Sequence, residues 1–172
     1  NLTPSSMNRI ALTIREPIGV VVAVSAFNHP FNLIVHQVIP AVAVGCPVIV
    51  KPANPTPLSC LSFVKCLYEA GLPEEWCRTI ICENADAEKL VTDSRVAFFT
   101  FIGSGAVGWM LHSKLAPGTR CALEHGGAAP VIVDHDADLK DTLPLLAKGG
   151  FYHAGQVCVS VQKIYVHESL ID

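Results

Sequence analysis

Gly19-Val20-Val21-Val22-Ala23-Val24 is a β-branched run with no polar alternation. A strand reads this way when both of its faces are buried, as in a parallel sheet covered by helices. The run ends at Ser25-Ala26-Phe27-Asn28-His29-Pro30, and residues 31–44 follow with helical length and apolar spacing. Pro40 inside that segment predicts a kink, because proline lacks the N–H and crowds the preceding turn. Gly45 is placed to end the helix. Pro47-Val48-Ile49-Val50-Lys51 reads as a second buried strand, followed by a proline-rich bend and a helix over about 57–70 that closes at Gly71. The same alternation continues with a third strand over Trp76 to Cys82, a short polar helix over 84–94 and a fourth strand over Val96 to Phe101. Gly103 to Gly108 is a glycine turn opening a helix to about Leu115, and Arg120 to Leu123 is a fifth strand. Strands alternating with helices predict an α/β fold: an open parallel Rossmann-like sheet with helices on both faces.

Outside this block, Ile10, Leu12 and Ile14 alternate with Ala11 and Thr13, as in a half-buried strand, before Pro17 interrupts. Its partner strands are expected outside this sequence. Gly126-Gly127 is the most plausible hinge. Beyond it, Pro130 to Val133 predicts a strand, Asp138 to Gly149 a helix, and Val159 to Val166 another strand after the loop that carries Cys158. This second part reads as the start of another α/β domain. The sequence stops at Asp172 after a strand and one incipient turn, an abrupt place for a domain to end.

The 172 residues are 51% hydrophobic and only 16% charged, against about 25% charged in ordinary soluble domains. That predicts either heavily buried parallel sheet or apolar surfaces meant for contact. A formal charge of −3 offers no basic patch and argues against nucleic acid as partner. No run has transmembrane length, which predicts no membrane partner, and the opening residues do not read as a signal peptide. Seven cysteines form no disulfide framework, so a reducing compartment, the cytoplasm, is expected. With neither a CxxC pair nor HExxH, no metal site is expected.

Six cysteines sit within apolar runs, where a thiol is a small hydrophobe. Cys158 differs: it follows Phe151-Tyr152-His153-Ala154-Gly155-Gln156-Val157, a partly polar glycine-containing loop that can expose it. It is the candidate nucleophile, and a buried loop cysteine is the plainer alternative. Gly103-Ser104-Gly105-Ala106-Val107-Gly108 is a literal G-x-G-x-x-G between a strand and a helix, which offers free N–H groups to a phosphate. Glu124 lies roughly 20 residues further on, where an acidic residue takes a ribose hydroxyl. Lys51 and Asn28 end strands on the edge where open α/β sheets bind ligands. On the residues alone, Lys51 can equally be a snorkelling surface lysine and Asn28 a turn residue.

Taken in order, Ala26-Phe27-Asn28, Lys51-Pro52, Phe101-Ile102-Gly103-Ser104 with Val107-Gly108, Leu123-Glu124-His125-Gly126-Gly127 and Gly155-Gln156-Val157-Cys158 resemble the signatures of the NAD(P)-dependent aldehyde dehydrogenase superfamily. Those signatures read approximately P-W-N, K-P, F-T-G-S-x-x-V-G, L-E-L-G-G-K and G-Q-x-C. The match covers about residues 15–168 but only the middle of a family subunit. The resemblance implies a cofactor domain over 17–125, the start of a catalytic domain over 126–172, and an interdomain or oligomerisation segment over 1–16. It also implies a small-molecule aldehyde as substrate, and a homodimer or homotetramer.

The resemblance implies Cys158 as nucleophile, Asn28 as oxyanion donor and Glu124 as general base rather than ribose ligand. Lys51 with Asn54 would meet the adenosine ribose, Gly103, Ser104 and Val107 the pyrophosphate. Ser25, Ala26, Phe27 and Gly126 would complete a site for NAD or NADP. Phe27, Ile102, His125 and Ala128 depart from the usual Trp, Thr, Leu and Lys. Asn54 stands where NAD-preferring members often carry Glu, which predicts that NADP is accepted, since no carboxylate repels its 2′-phosphate. The rivals are a member that passes its thioester to coenzyme A, for which Glu124 is out of place, and an inactive or structural member, which would be expected to have lost Cys158 or Glu124. The 172 residues on their own are expected to be inactive and aggregation-prone. Ile18-Gly19-Val20-Val21 and the Cys158 loop resemble the branch with succinate-semialdehyde, lactaldehyde and non-phosphorylating glyceraldehyde-3-phosphate dehydrogenases.

Overall fold

The computed structural model describes residues 3–7 and 9–171. Its main sheet contains β1 (Val20–Val24), β2 (Val48–Lys51), β3 (Cys77–Thr79), β4 (Val96–Gly103) and β5 (Arg120–His125). The strands lie in the order β3-β2-β1-β4-β5, and every neighbouring pair is parallel. The helices α1 (Pro30–Ala43), α2 (Leu58–Glu69), α3 (Asn84–Val91) and α4 (Gly105–His112) make the crossovers. The α/β expectation is met, and β1 is central because its residues pack in both directions. Val21 and Ala23 join Ile34 and Val38 of α1 and Cys60 and Val64 of α2 in one core. Val22 joins Val91 of α3, Leu111 of α4, and Phe99 and Phe101 of β4 in the other. Burying each such aliphatic or aromatic side chain stabilises by about 1.5–3 kcal/mol, which is why an unalternated valine run belongs here.

The β1–β4 register slips once: Val20 faces Val96, but Val21 faces Phe98. Ala97 is the extra residue. The slip places Val96 on the same face as Phe99 and Phe101, which strict alternation forbids. Gly45 adopts φ 82°, and the Cys46 N–H returns to the Ala41 carbonyl at 2.9 Å, ending α1 as a left-handed cap. Pro40 lies within α1 without ending it.

Three expectations change. Residues 10–14 form no strand among the described residues; Ile10 is 92% exposed, and no neighbouring strand supplies a ladder. The third strand shortens to Cys77–Thr79, because its only neighbour among the described residues, β2, pairs with it over three residues. Val159 to Lys163 form no strand, and pairing starts only at β7 (Ile164–Val166). β7 lies parallel to β6 (Val131–Val133) in a separate two-stranded sheet, with α5 (Leu139–Phe151) between them in sequence. α5 has no buried residue among the described ones, and Leu145, Phe151 and Ile132 are exposed, so part of the apolar surplus of the composition lies in this part.

Candidate active site

The carboxyl ends of β1, β2, β4 and β5 open on one cleft of about 1030 Å³, which the Cys158 loop closes at one end. All twelve site residues expected from the sequence line it: Ser25, Ala26, Phe27 and Asn28 after β1, Lys51 and Asn54 after β2, Gly103, Ser104 and Val107 around the β4–α4 turn, Glu124 and Gly126 at β5, and Cys158.

At the β1–β2 side, the Ser25 N–H donates to the Lys51 carbonyl at 3.0 Å. Lys51 is 5% exposed and its Nζ donates to Asn54 Oδ1 at 2.8 Å. No carboxylate among the described residues pairs with it. The buried Ser25 Oγ has no partner among the described residues. A buried ammonium with a single neutral partner and a buried hydroxyl with none are costly unless a polar ligand meets them. That donor set suits a ribose hydroxyl or a phosphate.

The glycine motif is tighter than its letters suggest. Gly103 still belongs to β4, Ser104 is the N-cap, and Gly105 and Gly108 are already helical. The turn is therefore one residue long, and the first N–H groups of α4 lie at the cleft, free to meet an anion. A Cβ on Gly108 would stand 2.6 Å from His125 Cδ2, so this glycine lets α4 press against β5. His125 packs on that helix, edge-on to Trp109 with ring centroids 5.1 Å apart. Strand alternation points it away from the face that carries Glu124. Its departure from the family pattern is thus a packing feature.

The Cys158 end of the cleft joins distant segments. His153, Ala154 and Gly155 turn in the left-handed region at φ 54°, 53° and 72°. The two non-glycine residues there cost roughly 1–2 kcal/mol each. This turn reverses the chain after α5 and presents an exposed Cys158. Asn28 Nδ2 donates to the Gln156 carbonyl at 2.7 Å, leaving its second amide N–H free beside the cysteine loop. The His153 ring bonds the Asn28 carbonyl at 2.8 Å and stacks on His29 at 4.6 Å. Gly127, at φ 139°, lies so close that a Cβ there would sit 2.3 Å from the Cys158 carbonyl oxygen.

The sequence alone did not mark four contributors. Gln37 is buried, and its Nε2 bridges the Val24 carbonyl at 3.2 Å and the Thr100 carbonyl at 3.1 Å, tying the β1 and β4 ends together. Its signal was a lone amide between Ile34 and Val38 on an apolar helix face. Gly127 was visible only as part of a hinge and a motif, not as a contact of Cys158. Nothing local to His29 or His153 marked them as partners. Asp134, His135 and Asp136 bring potential metal-ligating atoms within 4.8 Å of one another, but all three are exposed.

The structure is thus an open parallel α/β sheet whose carboxyl-edge cleft gathers a glycine turn at a helix N-terminus with a thiol, a carboxylate and a carboxamide. The pattern of the Aldehyde dehydrogenase family matches residues 1–172, and the chain belongs to that family. It is similar to 3-sulfolactaldehyde dehydrogenase of Priestia aryabhattai, at 42% identity over 168 residues, 97% of this chain and 35% of that protein. The fold superposes on aldehyde dehydrogenase 21 of Physcomitrella patens, in complex with the reaction product succinate, with TM-score 0.84 and 43% identity over 90% of this chain and 32% of that one. It also superposes on glyceraldehyde-3-phosphate dehydrogenase of Methanocaldococcus jannaschii complexed with NADP, with TM-score 0.85 and 36% identity over 92% of this chain and 36% of that one. The chain thus spans about a third of the length of the relatives it matches.

Proposed function

We propose that the full-length protein oxidises an aldehyde to a carboxylic acid with NAD or NADP. The observation that carries this reading is one cleft holding Cys158, Glu124 and Asn28 together with Lys51 and the Gly103–Ser104 turn. The Cys158 thiolate attacks the aldehyde carbon, since the thiolate and not the thiol is the nucleophile. The free Asn28 amide N–H and the Cys158 backbone N–H receive the developing oxyanion, each such donor contributing roughly 3–4 kcal/mol. Bound nicotinamide supplies the hydride acceptor. Glu124 then removes a proton from the water that hydrolyses the thioester. Lys51 and Asn54 hold the ribose, and Ser25, Ala26, Phe27 and Gly126 line the cofactor's path. Gly103, Ser104 and Val107 meet the pyrophosphate at the start of α4.

In this reading, residues 17–125 are the cofactor domain, 126–172 begin the catalytic domain, and 1–16 belong to an interdomain segment. The exposed Ile10, Leu12 and Ile14 favour an interface there, consistent with a homodimer or homotetramer in the cytoplasm. NADP is accepted because Asn54 places a neutral amide, not a carboxylate, beside Lys51. The full-length enzyme is tested with an aldehyde panel and both cofactors. Cys158→Ala abolishes turnover, and Glu124→Gln releases one reduced cofactor per site and stalls. Aldehyde oxidation by Cys158→Ala sinks the reading. Turnover of Glu124→Gln restored to the wild-type rate by coenzyme A favours acyl transfer to that thiol instead. An absence of NADP turnover refutes the cofactor assignment.

A further inference from the structure

We propose that His153, braced by His29, is the positioning residue for the Asn28 oxyanion donor. The proposal rests on the reading of Asn28 and Cys158 given above. An oxyanion donor works only if held within roughly 0.5 Å of its productive place. Among the described residues, the side chain of Asn28 has one hydrogen bond, from Nδ2 to the Gln156 carbonyl at 2.7 Å, and its Oδ1 is buried without a partner. A single bond at the tip leaves the stem of the residue free to swing. The second anchor is on the main chain, where the His153 ring meets the Asn28 carbonyl at 2.8 Å. A carbonyl oxygen only accepts, so His153 Nε2 carries the proton and donates. Asn28 thus reaches the cysteine loop through its amide and is reached by that loop through its carbonyl.

Two further observations favour a selected arrangement. His153 holds φ 54° and ψ 39°, a conformation glycine adopts without strain. The strained turn that His153 shares with Ala154 brings the His153 ring to Asn28. That ring lies flat on His29, the residue next to Asn28, with centroids 4.6 Å apart and planes inclined by 20°. The stack restricts the rotation by which His153 would leave the carbonyl. Tyr152 also lies near the ring, at 5.9 Å.

The test uses the full-length enzyme and separates acylation from thiol access. Burst kinetics of cofactor reduction read acylation, which needs the oxyanion donor. Alkylation of Cys158 by iodoacetamide displaces iodide and forms no oxyanion. His153→Leu is expected to slow the burst by roughly 10- to 100-fold, the effect of misplacing a reacting group by about 1 Å. The KM for cofactor and the alkylation rate are expected to stay within about twofold of wild type. His153→Asn, which tolerates the left-handed backbone but shortens the donor's reach, carries the same expectation if the leucine variant does not fold. Because His153 acts through Asn28, Asn28→Ala combined with His153→Leu is expected to be no slower than Asn28→Ala. An unchanged burst in His153→Leu overturns the proposal, as does an equal loss of alkylation, or losses that multiply in the double variant. An unchanged burst in Asn28→Ala removes the oxyanion reading itself, a separate outcome.

Discussion

Gly127→Ala tests the closest backbone approach in the cleft. A methyl group at Gly127 would stand 2.3 Å from the Cys158 carbonyl oxygen, 3.3 Å from its carbon and 3.8 Å from its Cα. Ordinary contact begins near 3.4 Å, so one of the two segments must retreat by about 1 Å. Neither yields easily, since the obstacle is backbone and not the tip of a side chain. Gly127 also sits at φ 139°, where an alanine adds roughly 1–3 kcal/mol of strain. A displacement of about 1 Å in a nucleophile costs about 100-fold in rate, or about 2.7 kcal/mol of transition-state stabilisation. Single-turnover cofactor reduction in the full-length enzyme reads this loss. Gly118→Ala is the control: it has φ 91° but nothing within 4 Å of its Cβ, so it lowers Tm and leaves the burst intact. A Gly127→Ala enzyme within threefold of wild type in burst rate would show that the cysteine loop does not lean on Gly127.

Gly108→Ala drives a methyl group to 2.6 Å from His125 Cδ2 and is expected to destabilise by about 1–3 kcal/mol; adding His125→Ala raises its Tm again, and a further fall would refute the packing role. Burial pushes the Cys77 thiol up to about 11 and raises Cys60 as well, so at pH 8 iodoacetamide labels the exposed Cys158 and Cys66 and spares Cys77 and Cys60 until the protein unfolds, as read by peptide mass spectrometry. The Arg95 guanidinium holds the Asp93 carboxyl well below its ordinary 3.8. A depressed carboxylate adds stability above its unfolded value and loses it as pH falls through the folded one. Asp93→Asn is therefore less stable than wild type at pH 7, and the two converge in strong acid; a gap independent of pH refutes this.

Much of the architecture was readable because local chemistry and tertiary role coincide. A valine run such as 20–24 is useful only where both sheet faces are covered, so it announces a central parallel strand. Asn28, Lys51, Glu124 and the Gly103 turn were readable as cleft residues for a related reason, since turn and strand-end residues of parallel units must gather at one edge of the sheet; the other cofactor-side residues came from the family resemblance. Residues 10–14 show the limit, because alternation states which face would be buried but supplies no ladder partner. His125 shows another: its letter departs from a motif, and only its contact with Trp109 and Gly108 explains why.

The sequence by itself determined the class of fold, the order of its strands along the chain and the thiol worth following. Those follow from residue chemistry and short-range spacing, which a linear chain carries in full, whereas the partners to seek for the thiol came from the resemblance of its motifs to a known family. Tertiary structure decided the register slip at Ala97, the one-residue phosphate-type turn and the contact of Gly127 with Cys158. It also decided the link from His153 through Asn28 to Gln156. Each of these depends on distances between segments far apart in sequence, and such distances exist only once the sheet has brought its strand ends together.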